Sequence, residues 1–230
     1  MDNWYEVRTT CDTNINVAAP ISAIAFDPYQ ELLWTGNEKG RVTSHFGSGL
    51  HRYTSFRAHL NPVRQILVSD KGVISLCSDS VKMTNRRGLI KWTLSNEDTT
   101  DLHCMTYTTM PNSEILAAGK QHNMLVINVA RGIVVKKVES ESDIVVMRKS
   151  RLICCGANSG EVTLMDPRTF KVEHRVQAHT GTISDIDTIG NLLLTCGSSA
   201  RHGNLIIDPL VKVNFMFVIL GILQIYIFIR

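Results

Sequence analysis

The sequence predicts an all-β protein, a β-propeller made of repeated four-stranded sheets. Three observations favour this fold: a repeat close to forty residues long, the same order of short strands and turns within each repeat, and scarce helical periodicity. Short apolar runs end in a small residue at intervals of 42, 41, 37 and 41 residues, at Gly36, Ser78, Gly119, Gly156 and Gly197. These intervals match propeller blades of about 40 to 45 residues.

The fourth repeat shows the strand pattern most clearly. Its predicted strands are Ile144–Met147, Leu152–Cys155, Glu161–Met165 and Lys171–Val176. Single hairpins are marginally stable in water, so each sheet must bury its faces against neighbouring sheets, as radially repeated blades do. The chain holds about four and a half such blades.

Four residues occupy positions typical of WD40-type propellers. His59 and His179 each follow an alanine, lie 120 residues apart and precede a new repeat. In that fold such a histidine binds a Ser, Thr or acidic residue of the next blade. Trp92 and Asp166 are interpreted as remnants of the Trp-Asp pair in two different repeats. The chain therefore resembles a WD40-type propeller with a degenerate signature.

The composition is that of a folded chain in a reducing compartment. A hydrophobic fraction of 44% and a net charge of +3 exclude disorder for the bulk of the 230 residues. The six cysteines form no Cys-x-x-Cys pair, and residues 1–13 hold no apolar signal segment. The sequence therefore predicts a cytoplasmic protein.

Catalytic signatures are missing from the sequence. It contains no phosphate-binding Gly-x-x-x-x-Gly-Lys loop, no His-Glu-x-x-His and no Gly-x-Ser-x-Gly. A catalytic triad is recognised by the geometry of its residues and not by a sequence motif. The missing signatures therefore argue only against the enzyme classes that carry these motifs. The histidines in predicted blade loops and the adjacent Cys154 and Cys155, which would point to opposite faces of one strand, are interpreted as structural residues.

Basic residues are concentrated in one stretch of the sequence. Between Lys39 and Lys91 there are ten lysines and arginines against Asp70 and Asp79, a local charge of +8. Such a field favours either a solvated face or a contact with a polyanion or an acidic partner. The candidate contact residues are Lys82, Arg86, Arg87 and Lys91.

Several segments resemble a known family. They include residues 25–37 (AFDPYQELLWTGN), Arg57-Ala58-His59 and Arg86-Arg87-Gly88-Leu89. These segments resemble the start of the large, catalytic subunit of the poly(A)-nuclease deadenylation complex, and the resemblance covers residues 1–213. It implies a propeller of seven blades, followed in that family by a linker, an inactive ubiquitin-hydrolase-like domain and an exonuclease that uses divalent metals.

The resemblance also implies a function. This chain would be a non-catalytic scaffold without a cofactor of its own, because the exonuclease motif Asp-x-Glu occurs nowhere in it. Its expected partners are the pseudokinase regulatory subunit and, indirectly, mRNA coated with poly(A)-binding protein, whose poly(A) tail the complex shortens. The expected location is the cytoplasm, including P-bodies.

Residues 214–230 depart from the repeat pattern. Phe215 to Ile229 form an apolar run of fifteen residues, whereas a membrane-spanning helix needs about 20, with a lower limit of about 17. We interpret the segment as an artefact of gene prediction or as a short tail anchor. The anchor defines an alternative function, a small membrane protein with a β-repeat head in the cytosol.

Overall fold

The structure is a computed structural model that describes residues 19–108, 113–189, 192–197, 218–220 and 223–229. The first sheet contains β1 (Ile21–Asp27), β2 (Leu32–Asn37), β3 (Arg41–Phe46) and β4 (His51–Arg57). The second contains β5 (Gln65–Ser69), β6 (Gly72–Leu76), β7 (Val81–Thr84) and β8 (Ile90–Leu94). The third contains β9 (Leu102–Tyr107), β10 (Glu114–Gly119), β11 (Asn123–Asn128) and β12 (Ile133–Glu139).

The remaining strands form two further sheets. The fourth sheet contains β13 (Ile144–Lys149), β14 (Ile153–Ala157), β15 (Glu161–Met165) and β16 (Val172–Gln177). The fifth contains β17 (Ile183–Ile189), β18 (Leu192–Gly197), β19 (Val218–Leu220) and β20 (Leu223–Ile229). A single 3-10 turn, Glu97–Thr99, is the one helical element among the residues described.

The first four sheets are antiparallel meanders whose first strands pack side by side. Each sheet is ordered by sequence, and β1 contacts β5, β5 contacts β9, β9 contacts β13, and β13 contacts β17. This is the radial arrangement of a propeller. The all-β, WD40-type propeller fold predicted from the period is confirmed.

The apolar core lies between the sheets. Four clusters of buried side chains fill the successive junctions from the first sheet to the fifth. All five residues of β6 and all five of β14 are buried, since neighbouring sheets cover both of their faces. In the first sheet, by contrast, β2 alternates between buried and half-buried residues, and Phe26 of β1 is 78% exposed. The described residues therefore cover one face of the first sheet less completely than the other.

The meander gives each sheet two different ends. The hairpin end carries the turns between the first and second strands and between the third and fourth, such as 28–31 and 85–89. The connection end carries the turn between the second and third strands and the link to the next sheet, such as 38–40 and 58–64. Each candidate contact residue lies closer to one of these two ends.

The apolar segment 214–230 contributes strands to the fifth sheet. The order there is β17-β18-β20-β19, so β20 pairs with β18 from Leu192↔Ile229 to Gly197↔Gln224. Within the part of the chain that the structure describes, no helix is long and apolar enough to cross a membrane. The predicted boundary at residue 213 lies outside the described residues, and the origin of the tail stays a prediction.

Candidate interaction surface

His59 fastens the link between the first and second sheets. The carbonyl oxygen of Gly40 accepts from the amides of Ala58 and His59 at 2.9 and 3.0 Å. The His59 ring then lies 2.8 Å from the Ser75 hydroxyl through Nε2 and 3.0 Å from the Ser80 hydroxyl through Nδ1. Burial is the main cause that lowers the pKa of His59 to about 4. The neutral imidazole is thus a structural clamp.

His179 repeats this arrangement between the fourth and fifth sheets. The Gly160 carbonyl oxygen accepts from the amides of Ala178 and His179, both at 3.1 Å. Nε2 of His179 lies 3.0 Å from the Thr195 hydroxyl, and burial lowers the pKa of the ring. Both histidines therefore contact the hydroxyl partners that the repeat pattern predicts.

Trp92 and Asp166 occupy different positions within their sheets. Trp92 lies on β8, a fourth strand, and its indole nitrogen donates to the Val129 carbonyl oxygen of the third sheet at 2.7 Å. Asp166 follows β15, a third strand, and its carboxylate accepts from backbone amides of the next turn. Trp92 therefore lies one strand later in its sheet than Asp166 does in its own, so the two residues are not remnants of the same Trp-Asp pair.

Asn85 and Asn128 are the residues equivalent to Asp166. Asn85 follows β7 and its Oδ1 accepts from the amides of Arg87 and Leu89, both at 2.9 Å. Asn128 ends β11 and its Oδ1 accepts from the Arg131 amide at 3.0 Å. The sequence signal for this turn is an Asn or Asp at or just after the end of the third strand, and it occurs in the second, third and fourth sheets.

Arg86 is bound within the fold. Its Nε and Nη2 donate to the two carboxylate oxygens of Asp27 at 2.7 and 3.0 Å, and its side chain is 11% exposed. It also donates to the carbonyl oxygens of Ser69 and Asp70. Burial alone would raise the pKa of the Asp27 carboxyl, but hydrogen bonds led by that of Arg86 hold the pKa below its usual value. Arg86 thus joins the first two sheets.

The other candidate contact residues are divided between the two ends of the second sheet. Lys82 lies near the connection end, where its Nζ donates to the Ala58 carbonyl oxygen at 2.7 Å. Lys91 lies towards the hairpin end and donates to the Lys71 carbonyl oxygen at 2.5 Å. Arg87 is exposed, and the hydrogen bond described for it involves only its backbone amide. Of the four candidate contact residues, Arg87 is therefore the one whose side chain has no described partner within the fold.

Corresponding turns of the next two sheets also present exposed arginines. Arg131 and Arg168 follow the Asx turns of the third and fourth sheets, and both are exposed. With Arg87 they place one arginine at the hairpin end of three successive sheets. The row could not be predicted from the dense basic stretch of the sequence, because Arg131 and Arg168 lie outside it.

The described residues show no arrangement suited to metal chemistry. Among them, no three His, Cys, Asp or Glu side chains are grouped so that they could hold a metal ion. The divalent metals implied for the family's exonuclease therefore have no fitting carboxylate set in this part of the protein.

Comparisons with known proteins agree with this geometry. The family model for the PAN2 N-terminal region matches residues 5–229. The catalytic subunit pan2 of the PAN2-PAN3 deadenylation complex of Schizosaccharomyces pombe is 46% identical over 213 residues, which cover 93% of this chain and 20% of that protein. Its counterpart from Aspergillus clavatus is 45% identical over 223 residues, covering 92% of this chain and 19% of that protein.

A solved structure shows the same architecture. The Neurospora crassa Pan2 WD40 domain superposes with a TM-score of 0.75 at 43% identity, covering 83% of this chain and 61% of that one. The chain spans about one fifth of the length of the curated relatives it matches. On the strength of the family match and the shared propeller architecture, the chain belongs to the PAN2 N-terminal family.

Proposed function

We propose that this chain is a non-catalytic interaction module of a deadenylation complex that shortens poly(A) tails in the cytoplasm, including P-bodies. The relatives are named as catalytic subunits of the PAN2-PAN3 deadenylation complex, and this chain matches their N-terminal propeller region. The single observation that carries the proposal is that the buried carboxylate and imidazole groups of the described residues join one sheet to another. His59, His179 and the Asp27–Arg86 pair all serve this purpose.

The proposed partners are the pseudokinase regulatory subunit and mRNA coated with poly(A)-binding protein. The names of the relatives support the first, since they denote a two-protein complex. The exposed arginines Arg87, Arg131 and Arg168 support an anionic contact at the hairpin end. Exposed guanidinium groups attract phosphates and carboxylates and can bind either with two hydrogen bonds.

Replacing Arg87 by glutamate tests this contact. The chain is titrated into labelled oligoadenylate, with and without poly(A)-binding protein, and separately into the regulatory subunit. We expect Arg87→Glu to weaken the anionic contact about fivefold or more and to reduce its salt dependence by about one phosphate contact. Because the Arg87 guanidinium has no described partner within the fold, thermal stability should not change.

Lys120→Glu is the matched control, because Lys120 is exposed at the connection end of the third sheet. It changes the net charge by the same amount and should leave affinity unaltered. Equal losses in both variants would show a general charge effect, and no loss in the Arg87 variant would contradict the contact. If the chain fails to bind the regulatory subunit, the proposed partner is wrong.

A further inference from the structure

A cavity of about 290 Å³ lies between the third and fourth sheets. Its floor is apolar and belongs to the buried cluster of that junction, with Met124, Ile144, Cys155 and Met165 as the main lining. Its rim is formed by residues 139–142, which link β12 to β13, and by polar side chains of β15 and β16. The cavity is therefore apolar inside and polar at its mouth.

The cavity lies at the junction where other residues stand in place of the histidine clamp. Ser140 donates its amide to the His122 carbonyl oxygen, as Ala58 and Ala178 donate to Gly40 and Gly160. Glu141 thus takes the place of His59 and His179. Cys155 lies two residues before the end of β14, as Thr195 does in β18, so a thiol replaces the hydroxyl partner.

The Glu141 side chain does not occupy the space of an imidazole. It is 72% exposed and pairs with both terminal nitrogens of Arg175, with Oε1 lying 2.7 Å from Nη2. The aligned histidines are 2% exposed and fill their junctions. Since the glutamate turns outwards to the surface ion pair, the space above Cys155 remains open as the cavity.

The mouth of the cavity carries an excess of negative charge. Three carboxylates line it, those of Glu139, Glu141 and Glu161, against the single guanidinium of Arg175. Arg175 is engaged with Glu141, Glu161 accepts from the Thr163 hydroxyl at 3.1 Å, and Glu139 forms no ion pair among the described residues. Arg175 also interacts electrostatically with Glu161, so three carboxylates share one cation and the mouth keeps a net negative charge.

We propose that this cavity binds a lysine or arginine side chain presented by an extended peptide segment of a partner protein. The aliphatic stem of such a side chain packs on the Met124 and Met165 floor while its charged head remains at the rim. A wholly apolar side chain would desolvate the rim carboxylates without pairing them. An acidic side chain or a nucleic-acid phosphate would be repelled.

The size of the cavity agrees with this occupant. Pockets for drug-sized ligands begin at about 300 Å³, and this one lies at that lower limit. It therefore fits one long side chain and excludes most larger cofactors. A contact of this kind would give register and charge specificity to a bound segment.

Methionine methyl resonances provide a direct test in the 230-residue chain. The protein is labelled at methionine methyl groups and titrated with acetyl-Ser-Gly-Arg-Gly-Ser-amide, and then with the same peptide carrying norleucine in place of arginine. We expect saturable shifts of the Met124 and Met165 methyls with the arginine peptide. Met83 and Met105, buried between the second and third sheets, serve as internal references that should not move.

Variants on the protein side identify the charged contact. Glu161→Gln should raise the dissociation constant of the arginine peptide by about three- to tenfold. Glu173→Gln is the matched control, because Glu173 is exposed on β16 outside the cavity lining and should have no effect. The double variant Glu141→His with Cys155→Ser restores the clamp pair and should abolish the methyl shifts.

Three results would overturn the proposal. The first is an absence of shifts at Met124 and Met165 with the arginine peptide. The second is equal binding of the norleucine peptide, which would identify an apolar pocket without charge selection. The third is unchanged affinity in Glu161→Gln. The peptide comparison uses the unaltered protein, so it decides the matter even where a variant does not fold.

Discussion

Replacing Arg86 by methionine removes the guanidinium that joins the first two sheets while keeping a long apolar stem. Arg86 donates four hydrogen bonds inwards, to both Asp27 carboxylate oxygens and to the carbonyl oxygens of Ser69 and Asp70. The Asp27 side chain is fully buried and that of Arg86 is 11% exposed. The variant therefore leaves a buried carboxylate without its counter-charge.

The expected loss of unfolding free energy depends on the hydrogen bonds that Asp27 retains in the variant. Removing one partner of a buried ion pair costs about 3 to 5 kcal/mol. In the variant, Asp27 still accepts from the Tyr29 amide at 2.9 Å, the Gln30 amide at 3.2 Å and the Trp34 indole nitrogen at 3.2 Å. Because these donors still offset part of the charge, we expect a loss near the lower limit, about 3 kcal/mol.

Arg87→Met is the matched control within the same turn. Arg87 is exposed and only its backbone amide has a described hydrogen bond, so its replacement should change stability by no more than about 0.5 kcal/mol. Urea unfolding followed by tryptophan fluorescence measures both variants, since the Trp34 indole contacts Asp27. Equal midpoints and slopes for the two variants would refute a structural role for Arg86.

The same variant should alter the response to acid. In the folded protein the pKa of Asp27 lies below its usual value, so the pair stabilises the fold above the unfolded pKa and this stabilisation is lost as the pH falls through the folded pKa. Removing Arg86 takes away the largest of the causes that lower this pKa, so protonation of Asp27 costs the variant less stability than it costs the unaltered pair. The difference in unfolding free energy between the Arg86 variant and the Arg87 control should therefore be largest near neutral pH and shrink as the pH falls and Asp27 takes up its proton.

Two further predictions concern the histidine clamp. Unfolded His59 takes up its proton near pH 6.5 and the folded side chain only near 4, so stability should fall with decreasing pH across this interval by at most about 1.4 kcal/mol per pH unit. In urea titrations His59→Gln should flatten this dependence, and an unchanged slope would contradict it. Gly40→Ala would place its Cβ 2.1 Å from the His59 carbonyl oxygen, whereas Gly47, also at positive φ, has open space around it. Thermal unfolding should therefore show a loss about 2 kcal/mol larger for Gly40→Ala than for Gly47→Ala, and equal losses would contradict the close approach.

The repeat could be predicted from sequence because its residues recur at fixed positions. His59 and His179 mark the same link in two repeats, and the structure gives both a hydroxyl partner. The role of Arg86 was hidden, because its partner Asp27 lies 59 positions earlier on another sheet. A dense run of basic residues suggests a solvated or ligand-binding face, but one buried carboxylate directs one of those arginines into the fold.

Strand positions were harder to predict than the period. Trp92 was assigned to the Trp-Asp pair because an aromatic residue followed by threonine imitates the signature. β7, however, spans only four residues, so Trp92 already belongs to the next strand, β8. The cavity between the third and fourth sheets was equally hidden, because it depends on the exposed orientation of Glu141, a property of packing and not of residue type.

The junctions between sheets differ in how they are closed, and this difference limits where recognition can lie. Histidine clamps close two junctions, and in the second sheet the Thr99 hydroxyl donates to the Asp79 carbonyl oxygen at 2.9 Å near the link to the third. Residues used in this way cannot be altered without loss of stability. Partner binding can therefore use the groups that do not join one sheet to the next. These groups are the arginines at the hairpin end and the carboxylates at the mouth of the cavity. Because these two surfaces have opposite charge and lie at opposite ends of the sheets, an anionic partner and a basic peptide would bind without competing.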